Sequence, residues 1–312
     1  MDSIGEHKTL EKQFESFFLT HEYKKLMQVD ISSRIDKTVY LINSATNLFK
    51  PFLSDKNVCV FAIQRSMRTQ ILNDYYQAAS ETEYPTCFES YGAYASIEHM
   101  EKLVHNTIQF FTSIGLEISK MRIRASYDDP ILINAISSSA LKRSLVMDER
   151  TEKYDHVYGA NLTGRAVKLD YYQDWQKKYK NLCYLILIYE DGIPKGVELA
   201  TSDQLILMRM HNLKYAISVA KITALLPVQT FEQRRFADSI VGASNMIYEG
   251  IRPNSSNTNG RTLKKYLHAI TYFGDILQIP LKKIIELICA YIHLEYGSVV
   301  DEKVLHTFLL TN

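Results

Sequence analysis

Two arginines follow a strand-like apolar run, and their type and position suit them to bind an anion. The run VCVFAI at 58–63 leads into QRSMR at 64–68, which contains Arg65 and Arg68. A polar loop follows, and a second strand-like run, CFESYGAY, occupies 87–94. The pattern predicts two neighbouring antiparallel strands joined by a long loop. A guanidinium presents a planar fork of donors that fits phosphate or carboxylate. The residue types alone also allow, and by themselves favour, a surface hairpin with solvated arginines.

The composition of the 312-residue chain limits the classes of function. With 46% hydrophobic and 23% charged residues it is typical of a soluble globular protein. Thirty-six basic and 35 acidic residues leave a net charge of +1, so nucleic-acid binding would need a local basic patch. The four cysteines form no CxxC pair, which argues against zinc. Three of them, Cys59, Cys183 and Cys289, lie in apolar runs, which is typical of buried thiols in a reducing compartment. The sequence opens without a charged-then-apolar leader, and its apolar runs stay shorter than the roughly 20 residues that span a bilayer. We therefore expect a cytosolic protein.

The hydrophobic pattern predicts the elements that would position the two arginines. It predicts helices over 8–27, 96–114 (with Ser96 as N-cap) and 201–226. It also predicts a strand running into a turn over 39–49, and strands over 118–126 and 182–189, the last followed by a turn at Asp191-Gly192. The polar segment that follows residue 126 has weaker periodicity up to about residue 180. Helical periodicity dominates after residue 230. The prediction is an α+β domain over 1–229, with an antiparallel sheet flanked by helices, followed by an all-helical domain over 230–312.

Several segments, in order along nearly the whole chain, resemble one enzyme family. NSATNLFKP at 43–51 is similar to the end of the family's first motif, and QRSMR with FESYGAY at 88–94 is similar to Gln-Lys-Cys-x-Arg and Phe-Glu-Met-Leu-Gly-Asn-Phe of its second. FADSI, GIRPN and NGRTLKK, between residues 236 and 265, resemble Ile-Ala-Asp-His-Ile, Gly-Val-x-Pro-Ser and Arg-Gly-Tyr-x-Leu-Arg-Arg. The family is alanyl-tRNA synthetase, a class II aminoacyl-tRNA synthetase, and the matching part is its N-terminal part.

The resemblance implies ATP-dependent activation of an amino acid as an aminoacyl-adenylate, with transfer to tRNA or another acceptor. It makes ATP, with or without Mg²⁺, the expected cofactor, and a small amino acid and the tRNA acceptor stem the expected partners. The match ends at Asn312, partway through the family's helical domain, and covers no editing domain. We therefore expect a truncated, divergent paralogue acting in a specialised pathway. The second hypothesis is a non-catalytic paralogue that binds tRNA or a protein.

The resemblance also assigns roles to individual residues. Arg68 would bridge the α-phosphate of ATP and the amino-acid carboxylate, and Glu89 would lie near the adenine or the substrate ammonium. Glu198 stands where the family holds the substrate amino group with an aspartate, and Tyr158 stands where the family has a pocket tryptophan. Arg68 and Glu89 are thus the expected catalytic and ATP-binding residues, while Glu198 and Tyr158 are the expected amino-acid-binding residues.

The sequence differs from the family's at two positions that would bind ATP. Leu205 stands where the family has the arginine that clamps the γ-phosphate. Arg209, one helical turn later, is the expected ATP-binding substitute, and it would need a shift of about 6 Å to take that place. The loop after Arg68 offers Leu72 and Asn73 where the family has a lysine.

A local basic patch lies in the helical part. The sequence has no acidic residue between Arg252 and Lys265, which fits contacts with nucleic-acid phosphates, although a solvated helix face would read the same way. The expected tRNA-binding residues are Asn254, Asn257, Arg261, Lys264 and Lys265.

Overall fold

A computed structural model describes residues 3–126, 130–149, 154–159 and 161–310. Its strands are β1 (Lys24–Lys25), β2 (Cys59–Met67), β3 (Cys87–Ser96), β4 (Met121–Ser126), β5 (Leu145–Asp148), β6 (Asp155–Val157), β7 (Leu162–Gln173), β8 (Lys178–Glu190) and β9 (Ile193–Ser202). Its α-helices are α1 (Ser3–Thr20), α2 (Thr46–Phe49), α3 (Met100–Ser113), α4 (Pro130–Ser137), α5 (Asp203–Met210), α6 (Phe231–Tyr248), α7 (Thr258–Ile276), α8 (Leu281–Tyr296) and α9 (Glu302–Leu310).

The strands form one sheet in the order β1-β2-β3-β9-β8-β7-β4-β5, with β6 added to β7. Its neighbouring strands are antiparallel except for the pairs β1–β2 and β4–β5. Helices flank this sheet, and from α6 onward the described chain contains helices and their connections. The predicted α+β class, an antiparallel sheet flanked by helices and followed by helices, is confirmed. None of the helices in the described ranges is long and apolar enough to cross a bilayer.

Aromatic packing holds α1 and α3 against the central strands. The ring of Phe14 on α1 lies 4.8 Å from that of Tyr91 on β3 and 5.1 Å from that of Phe110 on α3, centroid to centroid. The segment around α2 packs on β3 at Gly92, where a Cβ would lie only 2.6 Å from the Cβ of Ala45. Glycine is therefore required at residue 92 for this close approach.

The helices after residue 230 share a buried core with the sheet. Met67 at the end of β2 and Cys87 at the start of β3 belong to the same apolar cluster as Ile240 of α6 and Tyr291 of α8. This contact fixes the helical part beside the ends of the two strands that carry the predicted site. The predicted domain boundary at 229/230 falls immediately before α6 and stays a prediction.

Several predicted elements agree with the structure. The hairpin formed by β2 and β3 is present, with Arg65 opposite Glu89 in the ladder. The strand at 118–126 is found as β4, with alternating burial, and the one at 182–189 lies within β8. Asp191 and Gly192 have positive φ values of 52° and 76°, as expected for the tight turn that joins β8 to β9.

Other predicted elements are wrong in extent or type. The segment 39–49 contains the short helix α2 instead of a strand, and the first helix ends at Thr20 instead of 27. Ser96 does not cap a helix, because its hydroxyl donates to the Lys56 carbonyl at 2.6 Å. The helix that begins after Ser202 ends at Met210, since the chain turns at Asn212, whose φ is 55°. The weakly periodic segment before 180 contains the long strand β7.

Candidate functional site

Arg68 lies at the mouth of a cleft on the sheet. It directly follows β2, and its backbone N–H donates to the Thr86 carbonyl at 2.7 Å, which fixes the end of the hairpin. Its guanidinium carbon lies 5.0 Å from the centre of the Phe88 ring. The side chain is exposed and forms no ion pair within the described ranges. The cleft is lined by Ser44, Arg68, Tyr84, Pro85, Phe88, Ser90, Asn181, Tyr184, Ala200, Thr201, Ser202 and Leu205.

Glu198 on β9 lies two residues before the lining residue Ala200 and on the same face of the strand. Its side chain is 0% exposed, and Oε1 accepts a hydrogen bond from the Thr46 hydroxyl at 2.6 Å. Its other oxygen, Oε2, is buried and finds no hydrogen-bond donor among the described residues. Burial raises the pKa of Glu198 to about 8, although Thr46 and Arg68 both oppose that rise.

Tyr158 lies close to both charged groups, since Glu198 and Arg68 each influence its pKa, which burial raises well above its usual value. Its ring packs over Gly164 of β7, where a Cβ would approach the ring to 2.9 Å. His156 lies two residues earlier, its ring nearly parallel to that of Tyr158 with centroids 6.1 Å apart. The Tyr158 hydroxyl and the His156 Nε2 are both buried without a hydrogen-bond partner in the part of the chain that the structure describes.

Arg68 after the end of β2, Tyr158 after the end of β6 and Glu198 within β9 therefore lie near one another. Arg68 lines the cleft, and the fully buried Glu198, with one unsatisfied oxygen, lies beside it on the strand that supplies Ala200 and Ser202 to the lining. The cavity measures about 80 Å³, room for several water molecules or for a ligand the size of a small amino acid. Buried polar atoms are almost always hydrogen-bonded, and orphaned ones mark places where a ligand or water belongs. The arrangement suits a zwitterion whose carboxylate meets Arg68 and whose ammonium meets Glu198.

Glu89 lies apart from this group, and its expected role near the adenine or the substrate ammonium stays a prediction. Its neighbours on β3, Phe88 and Ser90, line the cleft, whereas Glu89 projects from the other face of the strand, where side chains alternate. There it contacts Arg65 at 3.8 Å and Lys221 at 3.9 Å.

The cluster around Glu89 ties the sheet to α8. Glu295 of α8 accepts from Arg65 at 2.8 Å and from Lys221 at 3.2 Å, and its side chain is only 5% exposed. The backbone N–H of Glu89 donates to Asp203 at 3.2 Å. Burial, with added repulsion from Asp203 and Glu295, raises the pKa of Glu89 to about 7 against the opposing charges of Lys221 and Arg65.

Arg209 also lies outside the cleft in this structure. It is 1% exposed, and its guanidinium donates to the Asn181 carbonyl at 3.0 Å and to Glu83 at 3.1 Å. Leu205, which stands where the family has its phosphate-clamping arginine, does line the cleft and gives it an apolar wall at that point. Arg209 could reach a ligand only after leaving Glu83.

The predicted tRNA-binding residues divide into two groups. Asn254 and Asn257 serve the turn before α7: the Asn257 carboxamide oxygen caps the helix by accepting from the Gly260 N–H at 2.8 Å, and that of Asn254 accepts from the Ser256 N–H at 3.1 Å. Their side-chain oxygens are thus occupied within the turn. Arg261 borders an open cavity of about 620 Å³ that Arg34 and Arg252 also line.

The two lysines continue the basic surface along α7. Lys264 donates to the Ser255 hydroxyl at 3.3 Å, and Lys265 donates to Asn73 of the loop after β2 at 3.1 Å. Neither lysine forms an ion pair with a carboxylate in the described ranges. The patch is therefore cationic, as the sequence predicts, and it adjoins the loop that follows Arg68.

Sequence reasoning missed several residues in and around the cleft. Thr46 holds the Glu198 carboxyl, and its position inside the first resembling segment was the available signal. His156 could have been found from its spacing of two residues from Tyr158, which places both on one face of β6 and its continuation. Tyr184 of β8 lies 5.6 Å from His156 between ring centroids, but a tyrosine within an apolar strand gives no such signal. Among the described residues, no group of three His, Cys, Asp or Glu side chains could hold a metal ion.

Known proteins resemble the chain in backbone structure, but comparisons of its sequence found no match. No protein-family model matches the chain. No curated protein matches it either. Solved structures with a similar backbone include histidyl-tRNA synthetase from S. aureus, with 11% identity over 66% of this chain and 69% of that one and a TM-score of 0.41. A pyrrolysyl-tRNA synthetase from Desulfitobacterium hafniense shows 11% identity over 68% and 72%, with a TM-score of 0.41. The RNA-binding domain of threonyl-tRNA synthetase from Cryptosporidium parvum shows 11% identity over 68% and 64%, with a TM-score of 0.44.

Proposed function

We propose that the cleft binds a small amino acid between Arg68 and Glu198, and that the chain is an alanyl-tRNA synthetase-like protein that activates this amino acid with ATP. The observation that carries the proposal is the buried Glu198 Oε2, which has no partner among the described residues and lies beside a cleft lined by Arg68, an arginine without an ion pair in the described ranges. A carboxyl group placed in this way would bind the substrate ammonium. The product would be an aminoacyl-adenylate, passed on to tRNA or another acceptor in the cytosol.

The proposed reaction asks little covalent chemistry of the protein. One oxygen of the amino-acid carboxylate attacks the α-phosphorus of ATP, the bond to the β-phosphate breaks, and pyrophosphate leaves. The protein must hold the two reactants in line and stabilise the charge that develops on the α-phosphate. Arg68 is suited to both tasks, because its guanidinium can bond a carboxylate and a phosphate oxygen together. Any Mg²⁺ would arrive with the ATP phosphates.

A second candidate, a non-catalytic paralogue that binds tRNA, is favoured by three placements. Leu205 gives the cleft an apolar wall where the family has a γ-phosphate clamp, Arg209 is bonded to Glu83, and Glu89 faces away. In this version the cleft keeps its amino-acid or adenylate contacts without turnover. The basic residues of α7 would then carry the function.

ATP–pyrophosphate exchange, measured with each amino acid in turn, separates the two candidates. Exchange with a small amino acid would support activation at this cleft. Absence of exchange with every amino acid, together with tRNA binding that weakens in Lys264→Glu/Lys265→Glu, would establish the second candidate. That double variant should also show a flatter dependence of the binding constant on salt, since fewer phosphate counterions are released. Unaltered tRNA binding would assign the two lysines to solvent.

A further inference from the structure

One face of α7 carries cationic and aromatic side chains in a single row. The exposed residues Arg261, Lys265, His268 and Tyr272 follow one another at intervals of three or four, which places them along the same side of the helix. The first acidic residue of α7 is Asp275, beyond this row. Cations interleaved with aromatic rings are the pattern of surfaces that bind single-stranded nucleic acid, because phosphates meet the cations while bases stack on the rings.

Tyr76, from the loop after β2, adds a fixed ring beside that row. Its hydroxyl is hydrogen-bonded to the Nδ1 of His268 at 2.8 Å. Its ring lies nearly parallel to that of Phe273, at 17° and 5.7 Å, and meets the ring of Tyr272 edge-on at 4.9 Å. These contacts hold the ring in one orientation, yet Tyr76 remains 37% exposed and Tyr272 43% exposed. A ring that is already immobilised loses little entropy when a base stacks on it.

A cavity of about 250 Å³ opens beside the Tyr76 ring. It is lined by Leu72, Asn73, Tyr75, Tyr76 and Lys265. The buried residues Leu72 and Tyr75 contribute apolar surface, while the Asn73 carboxamide and the Lys265 ammonium, which are bonded to each other at 3.1 Å, provide polar atoms. An apolar wall with amide and ammonium groups beside it suits a flat heterocycle attached to a phosphate.

We infer that Tyr76 and its cavity form a stacking site for an unpaired base of RNA, with Lys265 and Arg261 contacting the flanking phosphates. The inference deepens the proposed tRNA interface and is independent of amino-acid activation. It predicts that the surface prefers single-stranded RNA to a duplex, which a basic patch alone would not do. An unpaired base can enter the cavity beside the aromatic ring, whereas the bases of a duplex are already stacked, so a duplex contacts only the cations. The site joins the loop that follows Arg68 to the helical part.

The test compares a labelled single-stranded oligoribonucleotide with the same strand annealed to its complement, by fluorescence anisotropy on the full chain. Tyr76→Ala should weaken binding of the single strand roughly 5- to 150-fold, the range for loss of one stacked base, and leave duplex binding within about twofold. Tyr76→Phe keeps the ring and should stay within about threefold of the wild type. Lys265→Gln should weaken both forms and lower the salt slope by about one.

Different results would overturn the site. Equal losses for single strand and duplex in Tyr76→Ala, or no loss for the single strand, would remove stacking from the interface. A wild-type chain that binds neither form would overturn the RNA interface as well. Thermal unfolding of each variant checks that the loop and α7 remain folded. If the alanine variant unfolds, Tyr76→Leu, which keeps apolar bulk without an aromatic ring, replaces it with the same expected loss for the single strand. Amino-acid activation is measured separately by pyrophosphate exchange, so failure of one proposal does not imply failure of the other.

Discussion

Arg65 and Arg68 stand three residues apart, yet their surroundings are opposite. Arg65 is bonded to Glu295 at 2.8 Å, and its guanidinium carbon lies 4.6 Å from the centre of the Tyr296 ring. Arg68 contacts the Phe88 ring and has no carboxylate partner in the described chain. Because side chains alternate along a strand, an odd separation sends the two arginines to opposite faces of the sheet.

The two acids that accompany them differ in the same way. Burial raises the pKa of both Glu89 and Glu198, to about 7 and about 8. Glu89 has two cations within 4 Å, whereas one oxygen of Glu198 has no partner among the described side chains. Where charges on the sheet are paired they hold α8 in place, and where they are left unpaired they are available to a ligand. The comparison therefore predicts stability effects on one face and binding effects on the other.

Arg65→Ala should cause the largest loss of stability. It removes one cation from a mostly buried group and leaves Glu295 short of a partner, which typically costs about 3 to 5 kcal/mol of unfolding free energy. Urea denaturation measures the change in unfolding free energy. Arg68→Ala, on the exposed side, is the matched control, and its unfolding free energy should lie within about 0.5 kcal/mol of that of the wild type. Equal losses in the two variants would break the distinction between the faces.

Arg68→Ala should instead lower the rate of amino-acid activation. If the cleft activates an amino acid, pyrophosphate exchange should fall by at least about a hundredfold, the scale of losing one donor to the transition state. Arg68→Lys keeps the charge but loses the fork, so it should recover only part of the rate. An exchange rate unchanged in Arg68→Ala would remove this arginine from the mechanism.

The positions of two residues in and beside the cleft could be predicted, because the sequence pattern gives the strands on which they lie. The hairpin gave Arg68 its place, and the turn at Asp191-Gly192 gave Glu198 its position on the returning strand, so both lie where the sequence put them. Glu89 lies on the other face of β3, a placement that the alternation of the strand predicts but the resemblance does not reveal. Phe88 and Ser90 line the cleft, so the residue between them had to face away.

Other parts of the structure could not be read from local pattern. The strand β7 was missed because its burial alternates irregularly and a bulge shifts its register near Leu169. The ion pair of Arg209 with Glu83 spans 126 positions of sequence, and no local signal reports such a contact. The predicted helix to 226 failed because Asn212 adopts a left-handed conformation, which asparagine tolerates better than most residues.

Glu198→Gln tests the acid of the cleft through pH. Since the Glu198 pKa is about 8, the empty cleft holds a neutral carboxyl at lower pH, and binding an ammonium must release its proton. Affinity for the amino acid should therefore rise with pH, by up to about tenfold per unit below pH 8, and level off above it. In Glu198→Gln the affinity should be lower and nearly independent of pH. A slope that persists in this variant would point to another titrating group.

The same substitution should stabilise the empty protein at alkaline pH. A carboxyl whose pKa is raised on folding contributes stability below its unfolded value, and that contribution is lost as pH rises through the folded value. The wild type should accordingly lose stability between about pH 5 and pH 8 through Glu198. Thermal unfolding across this range should show a smaller loss in Glu198→Gln.

Glu83→Gln tests whether Arg209, which is paired with Glu83 in the structure, can bind a ligand in the cleft. Glu83 holds Arg209 away from the cleft by a bond of 3.1 Å, and a neutral glutamine would weaken that hold. If Arg209 grips ATP, the KM for ATP in the exchange reaction should fall roughly two- to fivefold, the worth of a partly exposed ion pair. Glu81→Gln is the matched control in the same loop, because it breaks a pair with Arg234 instead. A KM that changes equally in both variants, or rises in Glu83→Gln, would leave Arg209 with Arg65 as a residue that only supports the fold.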